Sequence, residues 1–295
     1  MNRFSITFVA TCAILALAAA TSQASVTVHP TGQSASKVRN YWTAERMRAA
    51  IPADHSARGD KVALAGKPGG GTTGGASSEV TIAPGSPLTA HGKVFFTDSG
   101  VNYVCSGTAL TGDVIWTAGH CVNDGPGAFY TNFQFVPAYR DGAAPYGKFP
   151  ATTLFTTSGW SATGQFGVDS GAAVPALNAS GQTLSAAVVE RSITFSAPRN
   201  QSYSLYGYPA AKGFNGQRLR VCNTAWSRDD TSATPATMGV SCDMTGGSSG
   251  GAWITSSGTV ASNISYGYSS LKNVLFGPHL EAEAQALYNS ANSAG

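Results

Sequence analysis

From Val80 to about Gly277 the chain repeats one pattern: a few apolar or alternating residues, then Gly, Pro, Asn or Asp. Lys93 to Phe96, Val101 to Val104, Asp113 to Thr117, Phe133 to Val136, Ala186 to Glu190, Tyr203 to Tyr208, Gln217 to Val221, Gly251 to Thr255 and Thr259 to Tyr266 each read as a strand. Many short strands with frequent turns predict a sandwich or barrel. A helical period closes the chain. Pro278 stands at its start, Glu281 and Glu283 fall where negative charge meets the positive end of the helix dipole, and Leu280, Ala284, Leu287 and Tyr288 share one face. The pattern is all-β with a C-terminal α-helix.

Ahead of this region the pattern changes twice. Asn2 and Arg3 precede an apolar run from Ile6 to Ala20, and Ser22 and Ala24 stand as a small-x-small cleavage site, so residues 1–24 read as a secretory signal peptide. The run falls short of the ~20 apolar residues a membrane span needs. Between Ser25 and Asp60 the chain is basic; Val38 to Trp42, then Met47, Ala50 and Ile51 at helical spacing, predict a short amphipathic helix that docks. Ala65 to Glu79 is Gly-rich and is expected to be flexible and open to proteolysis. Residues 25–79 therefore read as a propeptide and linker, cut within or just after the linker, and 80–295 as the main domain.

Composition narrows the class. The 295 residues are 42% hydrophobic and only 11% charged, with 35 Gly and 14 Pro, which suits a loop-rich core and not wholesale disorder. Without a Gly-X-Y period, a heptad run or a second long apolar span, collagen, coiled coil and polytopic membrane protein drop out. The net charge of +3 is uneven: from Val80 onward there are ten basic and eleven acidic residues. The main domain offers no basic surface for nucleic acid or an anionic membrane. Once Cys12 leaves with the signal, Cys105, Cys121, Cys222 and Cys242 remain, and four cysteines allow three connectivities. Local pairing, 105 with 121 and 222 with 242, closes two modest loops, and export makes disulfides more plausible than a zinc site.

Three segments carry chemistry. Val114 to Cys121 is a strand that delivers His120 through small residues; Phe166 to Ala173 holds Asp169; and Met244 to Trp253 flanks Ser249 with glycines, so that backbone and hydroxyl can approach a ligand. Gly247-x-Ser249-x-Gly251 also fits the nucleophile elbow of α/β-hydrolases, which requires an acid and then a histidine after the serine. Only His279 follows Ser249, with no Asp or Glu between them, so that order fails. The order acid, His, Ser stays formally possible, but the βαβ alternation it needs is missing. His120, Asp169, Ser249 is left, while Asp124 and Asp141 read as turn acids and His91 and His279 as structural.

Thr117-Ala-Gly-His-Cys121, the Asp169 segment and Gly247-x-Ser-Gly-Gly251 together resemble the secreted chymotrypsin/trypsin-like serine endopeptidases, in a bacterial or fungal branch related to glutamyl endopeptidases. The resemblance implies two six-stranded antiparallel β-barrels with the site between them and a C-terminal helix. It implies His120 as general base, Asp169 as its orienting carboxylate, Ser249 as nucleophile, and the Gly247 and Ser249 amides as oxyanion donors. Ser265, Tyr266 and Gly267 resemble the strand that pairs with substrate backbone, and Asp243, six residues before Ser249, stands where trypsin-like members keep a cation-binding acid. Protein or peptide substrates follow, with the prosegment as a possible inhibitor, a monomer, and secretion to the exterior. Neither a cofactor nor a metal is expected.

The sequence departs from the pattern in three places. Ser248 replaces the acid that receives the new N-terminus in the trypsin branch, Ala252 replaces the usual Pro, and Ile264 stands where the glutamate-selective branch commonly has a histidine. A secreted esterase with the same triad and a non-catalytic protein that keeps the fold as a binding module are the competing classes.

Overall fold

The computed structural model describes residues 25–53, 64–65 and 75–295. The expected signal peptide and most of the Gly-rich linker lie outside the described residues.

Alternation sets the architecture. In Ser202–Gly207 every second residue is buried, Tyr203 and Leu205 among them. Such strands bury one face and must close on themselves or stack. Here six close into a first barrel: His91–Asp98, Val101–Leu110, Val114–Thr117, Thr131–Pro137, Phe149–Thr157 and Gly171–Pro175, with Gln134 and Phe135 pairing to Pro150 and Phe149 to complete the ring. Its core holds Val94, Phe96, Phe133, Phe135 and Leu154. A second six, Ser202–Gly207, Arg220–Asp230, Thr237–Ser241, Ala252–Ile254, Val260–Asn263 and Val274–Gly277, surrounds Leu205, Met238, Val240 and Trp253. The pairing of Tyr266 with Phe276 closes that ring. The two expected six-stranded barrels are present.

The C-terminal helix begins later than its pattern predicts, at Ala282, and runs to Asn292. Ser196 N–H donates to Leu280 O at 2.7 Å and holds the residues before it extended. Leu280, Ala284, Leu287 and Ala291 pack on Leu110, Trp116 and Phe155 of the first barrel and on Ile254 and Val260 of the second. The helix therefore staples the barrels together.

The N-terminal segment also differs from its pattern. Two short helices form, Ala35–Tyr41 and Ala44–Ala49, the second capped by Thr43 Oγ1, which accepts from Arg46 N–H at 3.2 Å. Pro52 pushes Ile51 into extended backbone, so Ile51 leaves the helix and is half exposed. Val38, Trp42 and Met47 are buried against Phe95, Val104, Val136, Tyr139, Tyr208 and Leu219. Phe95 alternates out of the barrel core and is covered by Trp42, their rings 5.3 Å apart.

Ala186 to Glu190, read as a strand, is instead the end of a helical turn, Leu184–Ala187, and a loop. Thr183 caps that turn by accepting from Ala186 N–H at 3.2 Å, and Val189 is exposed. The strands Phe149–Thr157, Gly171–Pro175, Thr237–Ser241 and Val274–Gly277 go beyond the sequence pattern. Pro150, Ala and Gly interrupt most of them, residues with weak strand preference that packing overrides.

Candidate active site

The strand Val114–Thr117 ends in Ala118 and a tight turn, Gly119–Cys121, that carries His120. Cys121 is bonded to Cys105 of the neighbouring strand Val101–Leu110, which fixes the far side of the turn. Glycine is required at 119 for space: a Cβ there would sit 2.7 Å from Trp160 and 2.9 Å from Asp169 Oδ1. His120 and Asp169 are both fully buried. Asp169 Oδ1 accepts from the His120 backbone N–H at 2.8 Å, and Oδ2 lies 2.7 Å from His120 Nδ1. A carboxylate so placed keeps the proton on Nδ1 and leaves Nε2 as the basic nitrogen.

Asp169 has further partners that the sequence did not reveal. Ser265 Oγ donates to Asp169 Oδ2 at 2.5 Å, and Asn263 Nδ2 donates to the Asp169 carbonyl at 3.0 Å. Burial alone would raise the Asp169 pKa, but the charge of His120 and the bonds from His120 and Ser265 hold it below the ordinary carboxylate value. Ser265, expected only as part of a substrate strand, thus orients the acid with its side chain. Asn263 had no sequence signal, because its role depends on two distant segments meeting.

The Ser249 turn is seated on the first barrel. Ser106 N–H donates to Ser249 O at 2.7 Å, and Ser106 Oγ donates to Gly247 O at 2.9 Å. Gly250 has a φ of +79°, and a Cβ on it would lie 2.1 Å from Thr117 Oγ1 and 2.4 Å from Ser106 O. Only glycine permits both the conformation and the approach. The serine turn therefore presses on the strand that leads into His120. Among the described residues, neither Gly247 N–H nor Ser249 N–H donates a hydrogen bond. Ser248, where the trypsin branch has an acid, is buried and donates from Oγ to Thr245 O at 2.7 Å, so the turn is closed by a local bond.

A cleft of about 370 Å³ opens beside Ser249, walled by Asp243, Ser265, Tyr266, Gly267 and the lysines 212 and 272. Among the described residues, Ser265 O and both backbone groups of Gly267 carry no hydrogen bond. Tyr266 stacks on Phe166 and Phe276, with ring centres 4.3 and 5.2 Å away. The hydroxyls of Tyr266 and Tyr268 both donate to Asp230 Oδ2 at 2.6 Å. Asp230 is fully buried; burial works to raise its pKa, yet the bonds from Ser232, Tyr266 and Tyr268 keep it lowered. This anchor was not legible in the sequence.

Asp243 does not stand free on the cleft wall. Its Oδ1 accepts from Ser77 N–H at 2.8 Å, and its own N–H donates to Gly75 O at 2.7 Å. Ser78–Glu79 pairs with Val221 and Arg220, so residues expected to leave with the linker are part of the second barrel's sheet. The second expected disulfide is not formed. Cys222 and Cys242 are buried thiols whose Sγ atoms lie within 4.8 Å of each other and of an Asp243 carboxylate oxygen. Cys222 Sγ faces the carbonyls of Gly75 and Ser241, at 3.6 and 3.8 Å. Among the described residues, no helix is long and apolar enough to cross a membrane.

Among solved structures, the chain is similar to the protease Anisep from Arthrobacter nicotinovorans: 43% identity over 74% of this chain and 99% of that one, with a TM-score of 0.68. It is also similar to the thermostable serine protease AL20 from an extremophilic microorganism, at 40% identity over 70% of this chain and 99% of that one, TM-score 0.66. A Glu endopeptidase shares the fold at 22% identity, over 74% of this chain and 97% of that one, TM-score 0.63. A curated relative, an extracellular metalloprotease of Bacillus subtilis strain 168, is 25% identical over 126 residues, and the matched stretch spans 43% of this chain and 40% of that protein's length. No family model matches the chain.

Proposed function

The chain belongs to the chymotrypsin-like serine endopeptidases, and from that premise we propose a secreted enzyme, made as a proenzyme, that cleaves protein or peptide chains through an acyl-enzyme on Ser249. His120 Nε2 takes the Ser249 proton as the hydroxyl attacks the scissile carbonyl, and returns it to the departing amine. Water then enters, is deprotonated by the same nitrogen, and releases the acid product. Asp169 holds the tautomer and stabilises the imidazolium, with Ser265 fixing the carboxylate. The N–H groups of Gly247 and Ser249 receive the oxyanion, where one donor is worth ~3 kcal/mol of barrier. Substrate lies antiparallel to Ser265–Tyr266–Gly267, bonding Ser265 O and the Gly267 backbone.

The observation that carries this reading is the buried His120–Asp169 pair beside a serine turn that Gly250 seats on the same strand. The test is labelling with a fluorophosphonate: Ser249 takes the label and Ser249→Ala neither takes it nor cleaves casein. Label on another residue, or undiminished cleavage by the variant, removes the assignment.

Residues 1–24 serve as export signal and 25–79 as prosegment, with the cut within or just after the linker of residues 65–79. Control of the pocket falls to residues 75–77, which hold the Asp243 carboxylate. A cut after Glu79 frees that carboxylate and favours Arg or Lys before the scissile bond, whereas an earlier cut leaves it occupied. Terminal sequencing of the processed enzyme, with peptides carrying Arg, Glu or Phe at that position, separates these. Equal rates on all three exclude a pocket governed by Asp243.

A further inference from the structure

The N-terminal segment 25–53 is built onto the first barrel, and among the described residues none of it lines the cleft. Val26–Pro30 adds a strand to Phe149–Thr157, in register from Val26 with Thr157 to Pro30 with Thr153. Trp42 is completely buried and donates from Nε1 to Asn132 O at 2.6 Å, while Gln33 and Asn132 bond each other twice, through Gln33 Nε2 to Asn132 Oδ1 and Asn132 N–H to Gln33 Oε1. Lys148 Nζ donates to the carbonyls of Arg39 and Trp42. An inhibitory propeptide held only in a cleft needs no such seat.

The segment also reaches the support of the imidazole. Ser25 O accepts from Ser158 N–H at 3.1 Å, and Thr27 Oγ1 lies 2.7 Å from Ser161 Oγ and 3.3 Å from Ser158 Oγ. Those serines belong to the short helix Ser158–Thr163, whose Trp160 stands 6.1 Å from the His120 ring and donates from Nε1 to Asn123 O at 3.1 Å. His29 stacks on Phe129 at 4.9 Å, in the loop that follows the His120 turn.

We propose that residues 25–53 are a retained activating clip. After the chain is cut between residues 53 and 75, the segment stays bound as a separate polypeptide. Through the Ser158–Thr163 helix and Trp160 it keeps the His120 ring in its working position. It is a positioning element and not an inhibitor. The activity arm of the test rests on the peptidase reading above; the retention arm does not.

The experiment uses the full chain with a site for a sequence-specific protease placed within residues 66–74. In a Ser249→Ala background, the cut pieces are expected to leave gel filtration in one peak, and denaturing mass spectrometry finds both. In the active form, the cut chain with the small piece still bound sets the reference kcat and KM. Trp42→Ala, or the milder Val38→Ala, then lets the small piece leave. With its loss, kcat falls at least fivefold at unchanged KM and returns when synthetic peptide 25–53 is added. Separation of the pieces with Trp42 and Val38 intact overturns retention. Equal or higher kcat once the piece has gone overturns the activating role. A fall in KM on its departure identifies an inhibitor instead.

Discussion

The two barrels solve different problems with different means. The first holds an imidazole and a carboxylate, both sealed from solvent, and braces the His120 turn with the Cys105–Cys121 bridge, while the strand and helices of residues 25–53 cover its outer face. The second holds the nucleophile turn and the cleft walls. Its cysteines are unbridged, and its tyrosines and Asp243 are placed by hydrogen bonds to Asp230 and to Ser77. The difference teaches that the His120 turn is fixed covalently and by burial, while Asp169 and the half that meets substrate are fixed by polar networks, which at Asp243 and the free thiols a change in chain ends or redox state can alter.

The largest expected effect tests the sealed half. Asp169→Asn keeps the shape but lets the imidazole take the wrong tautomer, and kcat should drop about 10⁴-fold, the size known for this change in the template enzyme of the family. The melting temperature should fall as well, though the variant stays folded, because the carboxamide cannot accept every bond that the buried carboxylate takes. A loss below tenfold would mean that the carboxylate is not what orients His120.

The comparison sharpens with the cysteines. Removing both Cys105 and Cys121 opens a link with a sequence separation of 16, worth about 3 kcal/mol in urea unfolding. Cys222→Ala should cost about 1 kcal/mol, as a small packing defect. Under oxidising buffer, an equal cost for the two pairs would show that the second barrel is bridged as well, and the contrast between the barrels would disappear.

A pH-dependent effect lies where the barrels meet. Lys93 is buried, donates from Nζ to Gly216 O at 3.0 Å, and has its pKa lowered by burial to about 7. Between pH 7 and the ordinary value of 10.5, the unfolded chain holds a proton that the folded chain lacks, so stability rises with pH across that window. The slope is at most about 1.4 kcal/mol per pH unit. Lys93→Met should flatten it, read from urea midpoints at pH 7, 8 and 9. An unchanged slope would place its source elsewhere.

What was legible in the sequence follows from what is local. His120 and Ser249 announce themselves because tight turns need particular neighbours: Gly119 for clearance from Trp160, Gly250 for its backbone and for Thr117. The two-barrel fold was legible through alternation and through resemblance. Asp230 and Asn263 were not, since each is an ordinary polar residue until Tyr268 or Asp169 arrives from another strand. The pattern at Ser265 speaks for its backbone, while its hydroxyl serves Asp169. The N-terminal pattern predicts a docking helix but does not disclose the added strand, which has no partner until Phe149–Thr157 is in place.

The C-terminal helix packs across both barrels, so their mutual placement depends on a segment that carries none of the reactive groups. A fault at Leu280 or Leu287 would leave the histidine, the acid and the serine in the chain yet loosen the pin between their two supports, so catalysis is exposed to damage far from the chemistry.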